Sequence, residues 1–145
     1  MNPVKVKNIE IGTGIPKIIV PIVGVTKEEI LTTARSFNTI PLDVVEWRAD
    51  WFEGVLDFTQ VEDILKELRN ILGETPLLMT FRTSAEGGEK SISVDAYKEL
   101  NIHASQTGNV DLIDVEIFIG DDTVSEIIAG AHAAGVQVIA SNHDF

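Results

Sequence analysis

Strand-like and helix-like segments alternate along this chain from Lys17 onward, and that order restricts the fold more than any other feature of the sequence. Strand-like apolar runs lie at Lys17–Gly24, Asp43–Asp50, Pro76–Arg82, Leu112–Phe118 and Val136–His143. The segments between them open on helix-start signals. Thr26 with Glu29, Thr59 with Glu62 and Thr123 with Glu126 have capping-box spacing, and Ser93 is a plain N-cap candidate. Apolar residues then recur at the helical period: Ile30, Leu31, Ala34 and Phe37 in the first helix, Val61, Ile64, Leu65, Leu68 and Leu72 in the second. Gly73, Gly108 and Gly135 fall where helices should stop. Strict alternation predicts parallel strands joined by right-handed crossovers. Ahead of it, Val4-Lys5-Val6-Lys7 and Ile9-Glu10-Ile11 alternate like an exposed strand and end at Gly12-Thr13-Gly14, which predicts a short hairpin.

An open sheet and a closed barrel both fit this order, and the strand faces choose between them. Glu46, Arg48 and Asp50 share one face of their strand, while Val45, Trp47 and Ala49 share the other. Leu78, Thr80 and Arg82 oppose Leu77, Met79 and Phe81, and Leu112, Asp114 and Glu116 oppose Ile113, Val115 and Ile117. In the last run Ile139, Ser141 and His143 point one way. Each of these strands has an apolar face and a face that turns polar toward its C-terminal end. Open parallel sheets, covered on both sides, read apolar on both faces. Barrel strands turn an apolar face to the helices and carry functional groups at the top of the interior. The pattern predicts a (β/α)8 barrel. No Gly-rich phosphate loop competes, because Gly87-Gly88 has no GxGxxG frame. A complete barrel takes about 250 residues, so the chain is either a smaller fold or the N-terminal part of a longer enzyme.

Composition removes other classes. The chain has 145 residues, 23 acidic against 11 basic, a formal net charge of −12 and no cysteine. Without cysteine there is no disulfide framework, thiolate zinc site or Cys nucleophile. The acidic balance speaks against a nucleic-acid partner, which needs a basic face. The longest apolar stretch, Ile18 to Val25, is interrupted by Pro21 and Gly24 and falls far short of the roughly 20 residues of a membrane span. The first residues have no hydrophobic h-region, so a soluble cytoplasmic protein without membrane contact is expected.

Three segments carry a resemblance: Glu46-Trp47-Arg48-Ala49-Asp50, Thr80-Phe81-Arg82-Thr83-Ser84-Ala85-Glu86-Gly87-Gly88, and Ser141-Asn142-His143-Asp144-Phe145. Their order and spacing, with the leading hairpin and the Asp114-Val115-Glu116 strand, resemble the type I 3-dehydroquinate dehydratases of the shikimate pathway, a lyase family. The resemblance covers the whole chain. It implies a TIM barrel, here truncated after the fifth strand, with the N-terminal β-hairpin closing its bottom. Residues 1–145 would then be a single domain, the N-terminal portion of an aldolase-type barrel. It further implies reversible loss of water from 3-dehydroquinate to give 3-dehydroshikimate through a Schiff base, without a cofactor, in a homodimer. By resemblance His143 is the general acid/base, Glu86 orients it, and Glu46, Arg48 and Arg82 contact the substrate. The family's Schiff-base lysine, a further arginine, and a Ser and Gln of the closing loop would lie beyond Phe145.

The residue types suit that chemistry. Removing a proton beside a ketone needs an electron sink, which an iminium supplies, and a carrier poised near neutral pH, which imidazole supplies at an unperturbed pKa of about 6.5. An acid and a guanidinium on one face suit a polyhydroxy acid, bound through bidentate hydrogen bonds. Spacing alone leaves Glu46 with Arg48 open between a binding pair and a buried ion pair. Asp50, Asp114 and Glu116 read as interior hydrogen-bonding residues, Trp47, Met79 and Phe81 as core, and His103 and His132 as surface. No metal-ligand spacing appears. Two other readings stay open: another Schiff-base barrel lyase, and a non-catalytic half-barrel that binds or assembles.

Two expectations concern the 145 residues by themselves. Of their lysines only Lys90, in the loop after the third run, approaches the top, and a loop amine lacks the pocket that lowers its pKa, so the fragment alone should be inactive. Unpaired outer strands and an open interior face containing Leu78, Leu112 and Ile139 should favour self-association.

Overall fold

The computed structural model describes residues 2–144. Strands β1 (Val4–Val6) and β2 (Ile9–Ile11) form an antiparallel hairpin, with Lys7 at φ 49° in its turn. Then β3 (Ile19–Ile22), α1 (Lys27–Ser36), β4 (Val44–Arg48), α2 (Phe58–Leu72), β5 (Leu77–Thr80), α3 (Val94–Gln106), β6 (Leu112–Glu116), α4 (Asp121–Ala133) and β7 (Gln137–Ser141) follow in strict alternation. The five-stranded sheet is parallel throughout, in the order β3-β4-β5-β6-β7. Every strand lies beside its predecessor. A doubly wound sheet reverses direction at a switch point and puts helices on both faces; here the sheet winds one way.

One face of that sheet carries the main core. Val45, Trp47, Leu77, Met79, Phe81, Ile113 and Val115 pack against Ile30, Ala34, Ile64, Leu65, Leu68, Tyr97, Leu100 and Ile127 of the four helices, all within 1% of full burial. Trp47, Met79 and Phe81 are therefore core, as their parity predicts. Burial of this apolar surface, at roughly 25 cal/mol per Å², holds the helix layer on the sheet. No helix among the described residues is long and apolar enough to cross a membrane.

The opposite face is the barrel interior, and its lower end is closed by the hairpin. Val6 packs with Val44, Leu78 and Leu112, joined by Ile9, Ile11 and Ile139. This corrects the expectation of an open apolar interior. Leu78 and Leu112 are each only 2% exposed because the hairpin lies across them, and Ile139 is half-buried. Among the described residues, the outer strands β3 and β7 pair on one side only. Two aspartates clamp strand starts at this end. Asp43 accepts the Ile18 N–H at 2.7 Å, and Asp111 accepts the Leu77 N–H at 2.9 Å while pairing with Arg69.

Local signals are met unevenly. Thr26 caps α1 by accepting from Glu29 N, and Glu29 reaches back to Val25 N; Ser93 caps α3. The second helix starts earlier than its Thr59–Glu62 pair implies, because Asp57 is the N-cap and accepts from Thr59 N. The fourth starts at Asp121 behind Gly120, whose φ of 121° excludes most side chains, so Thr123 lies inside the helix and caps nothing. Asp121 and Asp122 complement its N-terminal dipole instead. The strands are shorter than their apolar runs, which leaves Asp50, Arg82 and His143 just past strand ends.

Candidate active site

The C-terminal ends of β4 to β7 bring the three sequence motifs onto one end of the barrel interior. In parallel register Arg48 lies beside Thr80, Asp114 beside Ile139 and Glu116 beside Ser141, and laterally paired residues share a face. The inner parity read from the sequence is thus the observed one.

Arg82 is buried among three polar side chains. It is 8% exposed, and its Nη1 lies 3.1 Å from both Asp114 Oδ1 and Glu116 Oε2 and 3.0 Å from Ser141 Oγ. Ser141 Oγ donates in turn to Asp114 Oδ1 at 2.6 Å. Burial works against the charged guanidinium, and the bonds to Asp114 and Glu116 outweigh it, so its pKa is held above the ordinary arginine value. Glu116 also accepts the Thr83 N–H and hydroxyl, at 2.9 and 2.7 Å. Asp114, Glu116 and Ser141 thus hold the Arg82 guanidinium through Nη1.

Arg48 donates through Nε and Nη2 to the two oxygens of Asp50, both at 2.8 Å. That pairing decides what spacing left open: the ion-pair partner of Arg48 is Asp50, while Glu46 accepts from the Thr80 hydroxyl at 2.7 Å. Burial raises the Asp50 pKa, but Arg48 and two backbone amides outweigh it and hold the carboxyl below the usual range. Glu46 and Arg48 are both half-buried, leaving each side chain partly accessible from the interior.

His143 meets Glu86. Its backbone N–H donates to Glu86 Oε1 at 2.9 Å, and its ring Nδ1 lies 3.1 Å from the same oxygen. The carboxylate favours a proton on Nδ1 and leaves Nε2 free to exchange one. Glu86 sits in a short turn, Ser84–Glu86, ended by Gly87 at φ 93°. Gly88 follows because nothing larger fits: a Cβ there would lie 1.8 Å from the Arg82 carbonyl oxygen. The Glu-Gly-Gly sequence is thus a packing requirement of the loop that carries the carboxylate. Phe145, the last residue of the third motif, lies outside the described residues.

A family model for type I 3-dehydroquinase matches residues 18–145. The chain belongs to this family. It is 54% identical over 142 residues to the 3-dehydroquinate dehydratase of Clostridium botulinum (strain Eklund 17B / Type B), covering 98% of this chain and 56% of that protein. It is 51% identical to that of Listeria monocytogenes serotype 4a (strain HCC23), covering all of this chain and 58% of that one. The chain thus spans little more than half the length of these relatives. Among solved structures, the type I 3-dehydroquinate dehydratase from Clostridium difficile with covalent modified comenic acid superposes with a TM-score of 0.97 at 51% identity, over 99% of this chain and 57% of that one. The Enterococcus faecalis 3-dehydroquinate dehydratase gives 0.94 at 43% identity, over 99% and 60%. These matches make the sheet an arc of the type I dehydroquinase TIM barrel.

Several contributors escape a residue-by-residue reading. Thr80 and Ser141 share the inner parity with Arg82, and that parity was their available signal. Lys90 is no free amine near the site: its Nζ donates to the carbonyls of Asp50 at 2.6 Å and Phe52 at 3.0 Å. His103 is half-buried, contrary to its surface reading, because its ring stacks on Phe58 with centroids 4.7 Å apart. His132 is exposed as expected.

Proposed function

We propose that this chain supplies the proton carrier and much of the substrate-binding surface of a 3-dehydroquinate dehydratase in the shikimate pathway. The observation that carries the reading is the Glu86–His143 pair at the same barrel end as the bonded Arg82 and the half-buried Glu46 and Arg48. In the reaction, an amine condenses with the substrate ketone and releases water, forming an iminium. His143 takes the proton from the neighbouring carbon, and the electron pair moves into the iminium. The departing hydroxyl leaves as water with a proton returned from the imidazolium. Hydrolysis of the imine then releases 3-dehydroshikimate and the amine. Arg48 and Arg82 suit the substrate carboxylate and hydroxyls, with Glu46 accepting a hydroxyl hydrogen.

The amine is assigned to a lysine outside these residues, because Lys90 is committed to two backbone carbonyls. The 145 residues alone are accordingly inactive in this reading. They form a single domain, the N-terminal portion of an aldolase-type barrel, in a cytoplasmic homodimeric enzyme. The test is turnover by the full-length protein, followed by the absorbance of the conjugated enone in 3-dehydroshikimate. Conversion of 3-dehydroquinate is expected. A folded full-length protein that leaves it unchanged would overturn the proposal.

A further inference from the structure

The buried Asp50 side chain joins Arg48 to the backbone on both sides of the Glu86 loop, at Arg82 and at Glu89. It is fully buried, and each carboxylate oxygen accepts two hydrogen bonds. Oδ1 takes Arg48 Nε at 2.8 Å and the Arg82 backbone N–H at 3.2 Å; Oδ2 takes Arg48 Nη2 at 2.8 Å and the Glu89 N–H at 3.0 Å. The Asp50 carbonyl accepts from Lys90 Nζ, whose own backbone oxygen accepts from Ser84 N at 2.8 Å. The loop 83–90 is therefore fastened at its far end to the turn after β4. Glu86 lies between those fastenings and holds His143.

We infer that Asp50 is a positioning residue that sets Arg48 for substrate binding and fixes the Glu86 loop for proton transfer by His143. This rests on the proposed dehydratase reading, and it adds a residue that touches neither substrate nor reacting atoms. The chemistry requires a carboxylate. An asparagine presents one acceptor oxygen and one NH2 group that only donates, so in either orientation its NH2 faces an N–H it cannot accept from, at Glu89 or at Arg82, and one of the two Arg48 donors. The guanidinium and the loop cannot both stay in place.

The test uses the full-length protein with Asp50→Asn, and Asp111→Asn as a matched control. Asp111 likewise accepts an arginine and a backbone amide, but at the opposite end of the sheet. Asp50→Asn should raise KM and lower kcat, each by about tenfold or more, since small misplacements of site groups have costs of that order. Asp111→Asn should lower thermal stability and leave both constants within about twofold of the parent. Hydrogen exchange reads the loop independently of turnover: amides of residues 83–90 should exchange faster in Asp50→Asn alone. A folded Asp50→Asn protein with parental exchange in that loop overturns the inference, whether or not the parent turns over 3-dehydroquinate. Faster exchange with unchanged kcat and KM in an active parent also overturns it, leaving Asp50 a structural residue. A parent without turnover, with faster loop exchange in Asp50→Asn, would overturn the dehydratase reading and uphold only the fastening of the loop.

Discussion

Replacing Tyr97 by phenylalanine removes one oxygen atom from the core and leaves the packing of the ring intact. The ring stands edge-on to Phe81, with centroids 6.4 Å apart and planes at 86°. Its hydroxyl donates to the Asp114 carbonyl at 3.2 Å and accepts the Glu116 N–H at 3.0 Å. It does so where β5 and β6 part. Their pairing ends at Met79 with Ile113, whereas β6 and β7 stay paired to Glu116 with Ser141. Tyr97 thus replaces a missing strand partner. A buried N–H left unpaired costs about 1–3 kcal/mol, and the ring loses no apolar contact, so Tyr97→Phe should cost about 2 kcal/mol in urea unfolding at neutral pH. The pH dependence gives a second reading. Burial pushes the Tyr97 phenol well above its ordinary range, against the opposing hydrogen bond from the Glu116 N–H. A folded pKa above the unfolded one means the contribution is complete below about pH 10 and shrinks above it, by up to about 1.4 kcal/mol per pH unit. The gap between parent and variant should therefore narrow above about pH 10. A cost below about 0.5 kcal/mol, or a gap that stays constant across that range, would refute the strand-replacement role.

Three further outcomes follow from the geometry. Gly88→Ala places a methyl group where the Arg82 carbonyl lies 1.8 Å away, so the Glu86 loop must shift, and turnover of the full-length protein should fall by about tenfold or more; parental rates would show that the loop yields freely. Asp50, with its pKa held low in the fold, contributes stability that is complete above its unfolded value of about 3.9 and disappears as pH falls through the folded value. Acid unfolding should consequently be less steep in Asp50→Asn than in the parent, and identical pH profiles would contradict the depressed value. Borohydride added to the 145-residue polypeptide with 3-dehydroquinate should leave its mass unchanged, and a stoichiometric adduct on Lys90 would contradict the carbonyl anchoring seen here.

The architecture was legible because period and parity are local. Trp47 and Arg48 alternate faces wherever the strand is placed, so the inner polar set and the outer core followed directly. Helix starts were less legible: Asp57 and Thr59 are both capping residues, and which one caps depends on how the chain leaves β4. The hairpin itself could be read, but its burial of Leu78 and Leu112 could not, since that contact joins residues far apart in sequence. In the candidate site, the resemblance singled out Glu86 and His143, and the structure brings the two into contact. Motif spacing could not show that Arg48 pairs with Asp50 and Glu46 with Thr80, because those choices depend on side-chain reach across neighbouring strands. Tyr97 gave no signal at all, lying at an ordinary core position of its helix.

The most direct measurement of the central claim is proton exchange at the carbon beside the ketone. Full-length protein and its His143→Ala variant are incubated with 3-dehydroquinate in deuterated buffer, and deuterium in recovered substrate and product is followed by mass spectrometry. The parent should incorporate solvent deuterium during turnover. The variant should lose about 100-fold to 10,000-fold of that rate, the range general acid–base catalysis supplies, while remaining folded. Exchange by His143→Ala at the parental rate would contradict the assignment of His143 as the proton carrier.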